Sequence, residues 1–173
     1  MYYGKLNPLD IANGPGVRVS LFVSGCRNRC EGCFQPETWS FTYGKEFDKA
    51  AVAELITMLG DPNVSGLSIL GGDPMEPENV VTVSAICKSV RELFPEKTIW
   101  VWSGYTFEYL MGLPSTPNLI FPYIDVLVDG PFVQELKDLT LFYRGSSNQR
   151  VIDIPKSLEA GYVVRWEGEQ EWR

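Results

Sequence analysis

The chain of 173 residues contains no histidine. That absence removes imidazole metal ligands, imidazole general bases and every His-dependent triad. Whatever chemistry occurs falls to cysteine, carboxylate, lysine, tyrosine, backbone or a bound cofactor. Long apolar runs are missing too. No stretch approaches the ~18 residues of a membrane span, and the start, Met1-Tyr2-Tyr3-Gly4-Lys5-Leu6-Asn7-Pro8, lacks a charged segment leading into an apolar one. No membrane partner and a cytoplasmic location are expected. The 15 lysines and arginines do not cluster, and 22 acids leave a net charge of −7. A phosphate-neutralising patch, and with it nucleic-acid binding, is not expected. There is no internal repeat and no low-complexity linker, and the length suits one core, so residues 1–173 read as a single domain.

Cysteine is scarce but concentrated. Of four, Cys26, Cys30 and Cys33 fall in one eight-residue stretch with the spacing C-x3-C-x2-C. In a reducing compartment such clustering points to a metal or to catalysis rather than to disulfides. Three thiolates on one loop repel each other unless a metal neutralises them. Structural zinc normally takes four protein ligands, and iron–sulfur clusters normally take four cysteines. A local set that stops at three leaves a coordination position open, which separates a reactive metal site from a structural one. The fourth cysteine, Cys87, recurs with Val80, Val83, Val90 and Phe94 at helical spacing, and reads as a small core hydrophobe rather than a ligand.

Strands and helices alternate along the chain. Val17–Val23, Gly66–Leu70, Thr98–Trp102 and a segment from Ile124 have the β-branched, apolar character of buried strands. Phe47–Leu59 reads as a helix capped by Asp48, with Val52, Leu55, Ile56 and Leu59 as its stripe. Asn79–Phe94 reads as a second, with Asn79 as cap and Pro95 beyond its end. After Val151 we expect a strand, a short helix Pro155–Ala160, a turn at Gly161, a strand Tyr162–Trp166 and a frayed acidic tail, Glu167–Arg173. This βαβ pattern predicts an α/β fold with a parallel sheet and helices outside. The chain is too short for an eight-unit barrel of about 250 residues. The expectation is a partial, open (β/α) barrel of four to six strands, with the cysteine loop at the carboxyl end of the first.

The cysteine spacing followed by Phe34 resembles the signature of the radical S-adenosylmethionine (SAM) enzymes. Gly71-Gly72-Asp73-Pro74 resembles the GGDP form of that family's "GGE" region. Trp102-Ser103-Gly104-Tyr105, and Asp129-Gly130-Pro131-Phe132 followed by Arg144-Gly145-Ser146-Ser147-Asn148-Gln149, resemble the activating enzymes of anaerobic (class III) ribonucleoside-triphosphate reductases. The likeness runs from about Tyr3 to Gln149. It implies that Cys26, Cys30 and Cys33 hold a [4Fe–4S] cluster whose fourth iron is chelated by SAM. It implies SAM contacts at Gly32, Cys33, Phe34, Gly72, Asp73 and Ser103, with Gly32 and Phe34 along the adenine and Gly72 at the amino-acid moiety.

The implied reaction is reductive cleavage of SAM, followed by hydrogen abstraction from a backbone glycine. That glycine lies in the glycyl-radical domain of the reductase catalytic subunit, and a reduced donor such as flavodoxin supplies the electron. No catalytic side chain is required, because cluster and SAM carry the chemistry. Asp129 is expected at a strand end facing the site, where related activases can hold a cation. Arg144 is either a planar fork for a carboxylate or a structural partner of an aspartate. Two alternatives stay open: a radical-SAM enzyme acting on another glycyl-radical enzyme or a small molecule, and a non-catalytic zinc module.

Overall fold

The computed structural model describes residues 1–170. Its elements in chain order are β1 (Tyr2–Asp10), β2 (Val17–Val23), β3 (Lys45–Glu46), α1 (Lys49–Leu59), β4 (Val64–Gly71) and α2 (Pro77–Leu93). Then follow β5 (Thr98–Trp102), α3 (Phe107–Met111), α4 (Thr116–Ile120), β6 (Val126–Asp129), β7 (Arg150–Asp153) and α5 (Ile154–Ala160). One sheet joins all seven strands in the order β3-β1-β2-β4-β5-β6-β7. The four central strands β2, β4, β5 and β6 are parallel, as the alternation predicts, while β1, β3 and β7 are antiparallel additions.

The parallel strands follow one another in space without reversal. Right-handed crossovers that always step the same way put their helices on one face. Val19, Leu21, Leu67, Ile69, Ile99, Val101 and Leu127 form that face, in one core with Leu55 and Leu59 of α1, Val83 and Cys87 of α2, and Leu110 of α3. The alternate residues of the same strands point the other way and build the inner face of a half-barrel. Trp100, Val126, Val128 and Val151 pack there with Trp102, Tyr143 and Trp166.

Arg18 lies on this inner face, fully buried. Its guanidinium donates to Ser68 Oγ (2.7 Å), Thr98 Oγ1 (2.9 Å) and the carbonyls of Leu67 (2.8 Å) and Thr98 (2.9 Å). Burial pushes its pKa down to about 10. These bonds satisfy a charge that would otherwise be costly to desolvate, and they staple β2, β4 and β5 below the site.

Several boundaries differ from the sequence expectation. Strand β1 was not anticipated: its polar residues and bulges break the alternation, and only Tyr3 and Asp10 are buried. In α1, Asp48 caps as expected by accepting from the Ala51 N–H (2.9 Å), but Ala51 is buried while Val52 is 39% exposed. Helix α2 starts two residues before Asn79, because Pro77 takes the first turn, where its missing N–H costs nothing. Asn79 turns inward and donates to the carbonyls of Ser24 (3.0 Å) and Asp73 (2.9 Å). The expected strand Tyr162–Trp166 is only a single bridge, Ile152 to Arg165, supported by Trp166 N–H to Val151 O (3.0 Å). The Trp166 ring meets Trp100 edge-on at 4.7 Å and closes the inner face. Of the expected tail, Glu167–Gln170 forms a 3-10 turn and residues 171–173 lie outside those described.

Candidate active site

The connections leaving the carboxyl ends of β2, β4, β5 and β6 surround one cavity of about 550 Å3. Cys26, Cys30 and Cys33 are half-buried on its wall. Phe34, Gly72, Asp73 and Ser103 line it as well. Cys87 is fully buried in the helix-side core, as its helical spacing predicted. Gly32 differs from expectation, because it takes a left-handed φ of 70° off the cavity wall, where a Cβ would collide with Gln134. Its role in the fold is to admit the β6–β7 connection against the cysteine loop.

The cysteine loop is tightly wound. Arg29 joins Gly32 in the left-handed region (φ 45°), and Cys33 N–H donates to Cys30 O (3.2 Å). Burial, and after it the charge of Asp73, pushes the Cys26 thiol up to about 11, while N–H groups of Asn28 and Arg29 and the Asn28 side chain oppose the shift. Burial also pushes Cys30 up, opposed by the Phe132 N–H arriving from the β6–β7 connection. Hydrogen bonds of this kind are what tune thiolate ligands. Among the described residues, no three His, Cys, Asp or Glu side chains converge as the ligands of one metal ion do. The three ligands of a multi-iron cluster bind different irons and need no common focus. Soft thiolates in that number and spacing fit a cluster with one open iron.

Gly71 and Gly72 let two strand exits touch. Gly71 has a φ of 107°, and a Cβ on Gly72 would meet the Gly25 backbone at 2.6 Å. Gly72 N–H donates to Val23 O (2.7 Å) and Asp73 N–H to Gly25 O (2.8 Å). The Asp73 carboxyl is fully buried and accepts from the N–H groups of Met75 (2.9 Å) and Gly104 (2.9 Å), Ser103 Oγ (2.8 Å) and Asn28 Nδ2 (3.0 Å). Burial nevertheless pushes it up to about 6. Ser103 therefore gives its hydroxyl hydrogen to Asp73 and presents its remaining surface to the cavity.

Three residues on, the equally buried Glu76 makes a parallel bridge. It accepts from the Arg27 N–H (2.7 Å), the Arg27 guanidinium and the Tyr105 hydroxyl (3.3 Å). Two buried carboxylates on one loop thus each tie the cysteine loop to the turn after β5.

The Arg144–Gln149 stretch works as a clasp. Gln149 Oε1 accepts from the N–H groups of Gly145 (2.9 Å) and Ser146 (3.2 Å), and its Nε2 donates to Gly130 O (3.0 Å). Asn148 Nδ2 donates to Pro131 O (2.8 Å). These bonds close the β6–β7 connection into a flap whose Phe132 ring packs on Phe34 at 5.2 Å. Arg144 lies on the cavity wall. Asp129 does not face the cavity as expected. Its buried carboxylate accepts from the Phe107 N–H (2.7 Å) at the start of α3 and from Arg150 (2.9 Å).

Glu76, Arg27, Asn28, Phe132 and Gln149 escaped the sequence reading as individual site residues. Arg27 and Asn28 occupy the free positions of C-x3-C, and their partners lie 45 or more residues away, so spacing carried no signal for them.

The 4Fe-4S single cluster domain family matches residues 12–152 of the chain. The fold is accordingly that of a radical-SAM protein, and a [4Fe–4S] cluster and SAM are its cofactors. The chain is 44% identical over 151 residues to the anaerobic ribonucleoside-triphosphate reductase-activating protein of Vibrio cholerae, covering 86% of this chain and 96% of that protein. To the protein of the same name from Escherichia coli K12 it is 44% identical over 153 residues, 87% of this chain and 97% of that one. The counterpart from Enterobacteria phage T4 is 41% identical over 151 residues, 87% and 93% of the two chains. The chain belongs to the family of anaerobic ribonucleoside-triphosphate reductase-activating proteins.

Proposed function

We propose that this chain, as a single domain, activates an anaerobic ribonucleoside-triphosphate reductase by generating a glycyl radical on its catalytic subunit. The observation that carries the proposal is the convergence of Cys26, Cys30 and Cys33 with the Gly72–Asp73 loop and Ser103 around one cavity, in a chain of this family. Cys26, Cys30 and Cys33 hold the cluster as thiolates. The cluster, when bound, supplies the electron that splits SAM into methionine and a 5′-deoxyadenosyl radical, which takes a hydrogen atom from the target glycine.

The protein's own part is positioning and exclusion of side reactions. The close Gly72–Gly25 approach brings a bare backbone to the amino-acid moiety of SAM. Phe34, 61% exposed beside the cysteines, offers a ring face to the adenine, and Gly32 keeps that loop tight. Asp73 and Ser103 act through their mutual hydrogen bond, which fixes the wall that SAM meets. No histidine base is needed, since a hydrogen atom and not a proton leaves the glycine. The partner reading adds the reductase's glycyl-radical domain and a reduced donor such as flavodoxin, in the cytoplasm, without nucleic acid or membrane. Among the described residues no helix is long and apolar enough to cross a membrane.

The test is to reconstitute the protein anaerobically, reduce it, and incubate it with SAM and a purified anaerobic reductase. The electron paramagnetic resonance doublet of a glycyl radical on the reductase is expected. A reductase left radical-free while SAM is consumed would mean a different substrate.

A further inference from the structure

We propose that Glu76 is a positioning residue that holds down the reduction potential of the cluster. The inference rests on the three-cysteine cluster reading above. Glu76 is 0% exposed and sits at the N-cap of α2, where its side chain makes no capping bond. Its carboxylate turns instead to the cysteine loop, where Oε1 takes the Arg27 N–H at 2.7 Å. That N–H belongs to the peptide directly after Cys26. The Arg27 guanidinium pairs with the other oxygen of Glu76 through Nη1, grips Glu78 through Nη1 and Nη2, and lies 4.5 Å from the Phe41 ring centroid. A buried carboxylate is retained only where such charge-assisted bonds offset its desolvation.

The potential of an iron–sulfur cluster responds to net charge nearby and to hydrogen bonds on its sulfurs. The Arg27 N–H, in the peptide next to Cys26, is held by Glu76 and so is not offered to the cluster. Glu76 also sets a negative charge below the loop. A donated N–H stabilises the more negative reduced cluster, and a nearby carboxylate destabilises it. Both actions of Glu76 therefore lower the potential, which strengthens the reduced site as an electron donor.

The two actions separate by substitution. Glu76→Gln keeps an oxygen for the Arg27 N–H but removes the charge. Glu76→Ala removes both. Glu78→Gln removes a charge that is 49% exposed and screened, and serves as the control.

The experiment is an anaerobic redox titration of each reconstituted protein, following the reduced-cluster resonance, with iron and sulfide content checked first. The half-reaction takes one electron from a low-potential mediator dye and moves no atom. The ratio of reduced to oxidised cluster at fixed ambient potential is expected to rise roughly three- to tenfold in Glu76→Gln. It should rise further in Glu76→Ala and stay close to wild type in Glu78→Gln. A purely structural role would lower melting temperature and leave the ratio unmoved, which overturns the proposal, as does a fall in the ratio. Should Glu76→Ala not fold, Glu76→Gln decides alone. A wild-type protein that holds no iron and sulfide overturns the cluster reading, and this inference with it.

Discussion

Replacing Gly72 with alanine puts one methyl group where the β2 and β4 exits meet. The new Cβ would lie 2.6 Å from Gly25 O and 3.0 Å from Gly25 C and N, all backbone atoms that cannot rotate away. That is roughly 1 Å inside normal non-bonded separation. Relief requires the two exits to part, which strains the Gly72–Val23 and Asp73–Gly25 hydrogen bonds of 2.7 and 2.8 Å. Overpacking of this kind costs about 1–3 kcal/mol, and weakening two buried hydrogen bonds adds about 1 kcal/mol each. At this chain length each kcal/mol lowers the melting temperature by about 2–4 °C, so a fall of roughly 6–20 °C is expected.

The functional effect should exceed the stability effect. The cysteine loop and the Gly72–Asp73 wall would shift by about 1 Å relative to each other, and misplacement on that scale costs on the order of a hundredfold in rate. Anaerobic thermal melts and initial rates of 5′-deoxyadenosine formation at saturating SAM read both effects. A variant melting within about 1 °C of wild type, with a rate within about twofold, would refute the argument that backbone contact at Gly25 sets the site geometry.

Two further outcomes are expected. Cys87→Ala should leave iron and sulfide per chain unchanged and cost about 1–2 kcal/mol from the small void in the core; loss of iron would make Cys87 a ligand. Hydrogen bonds from Arg150 hold the Glu108 carboxyl down at about 2, against its ordinary 4.5. A depressed carboxyl contributes stability above about pH 4.5 and loses it as pH falls toward 2. Glu108 is 60% exposed, so that contribution is below about 1 kcal/mol. Glu108→Gln should melt slightly below wild type at pH 7, with the gap closing between pH 4.5 and 2; a gap independent of pH would contradict the pairing.

The parallel centre of the sheet was legible because β2, β4, β5 and β6 are short runs of apolar or β-branched residues ending in glycine-bearing or cysteine-bearing loops. Strand β1 was not, since an edge strand with bulges and mostly exposed side chains has no period to read. The cysteines stood out through local spacing alone. The residues that hold their loop did not: Arg27 and Asn28 meet Glu76 and Asp73 only after the sheet has brought β2 and β4 side by side. Asp129 shows the opposite failure. Its place at a strand end was read correctly, but Arg150 and the first turn of α3 compete for its carboxylate and turn it from the cavity.

The central claim is that three cysteines on one loop hold a cluster that cleaves SAM. It is tested most directly by quantifying 5′-deoxyadenosine from the reconstituted, reduced protein with SAM, beside its Cys30→Ala variant. The account predicts cleavage in the wild type and its loss in the variant. Cleavage that persists without Cys30, or a wild type that binds zinc in place of iron and leaves SAM intact, would contradict it.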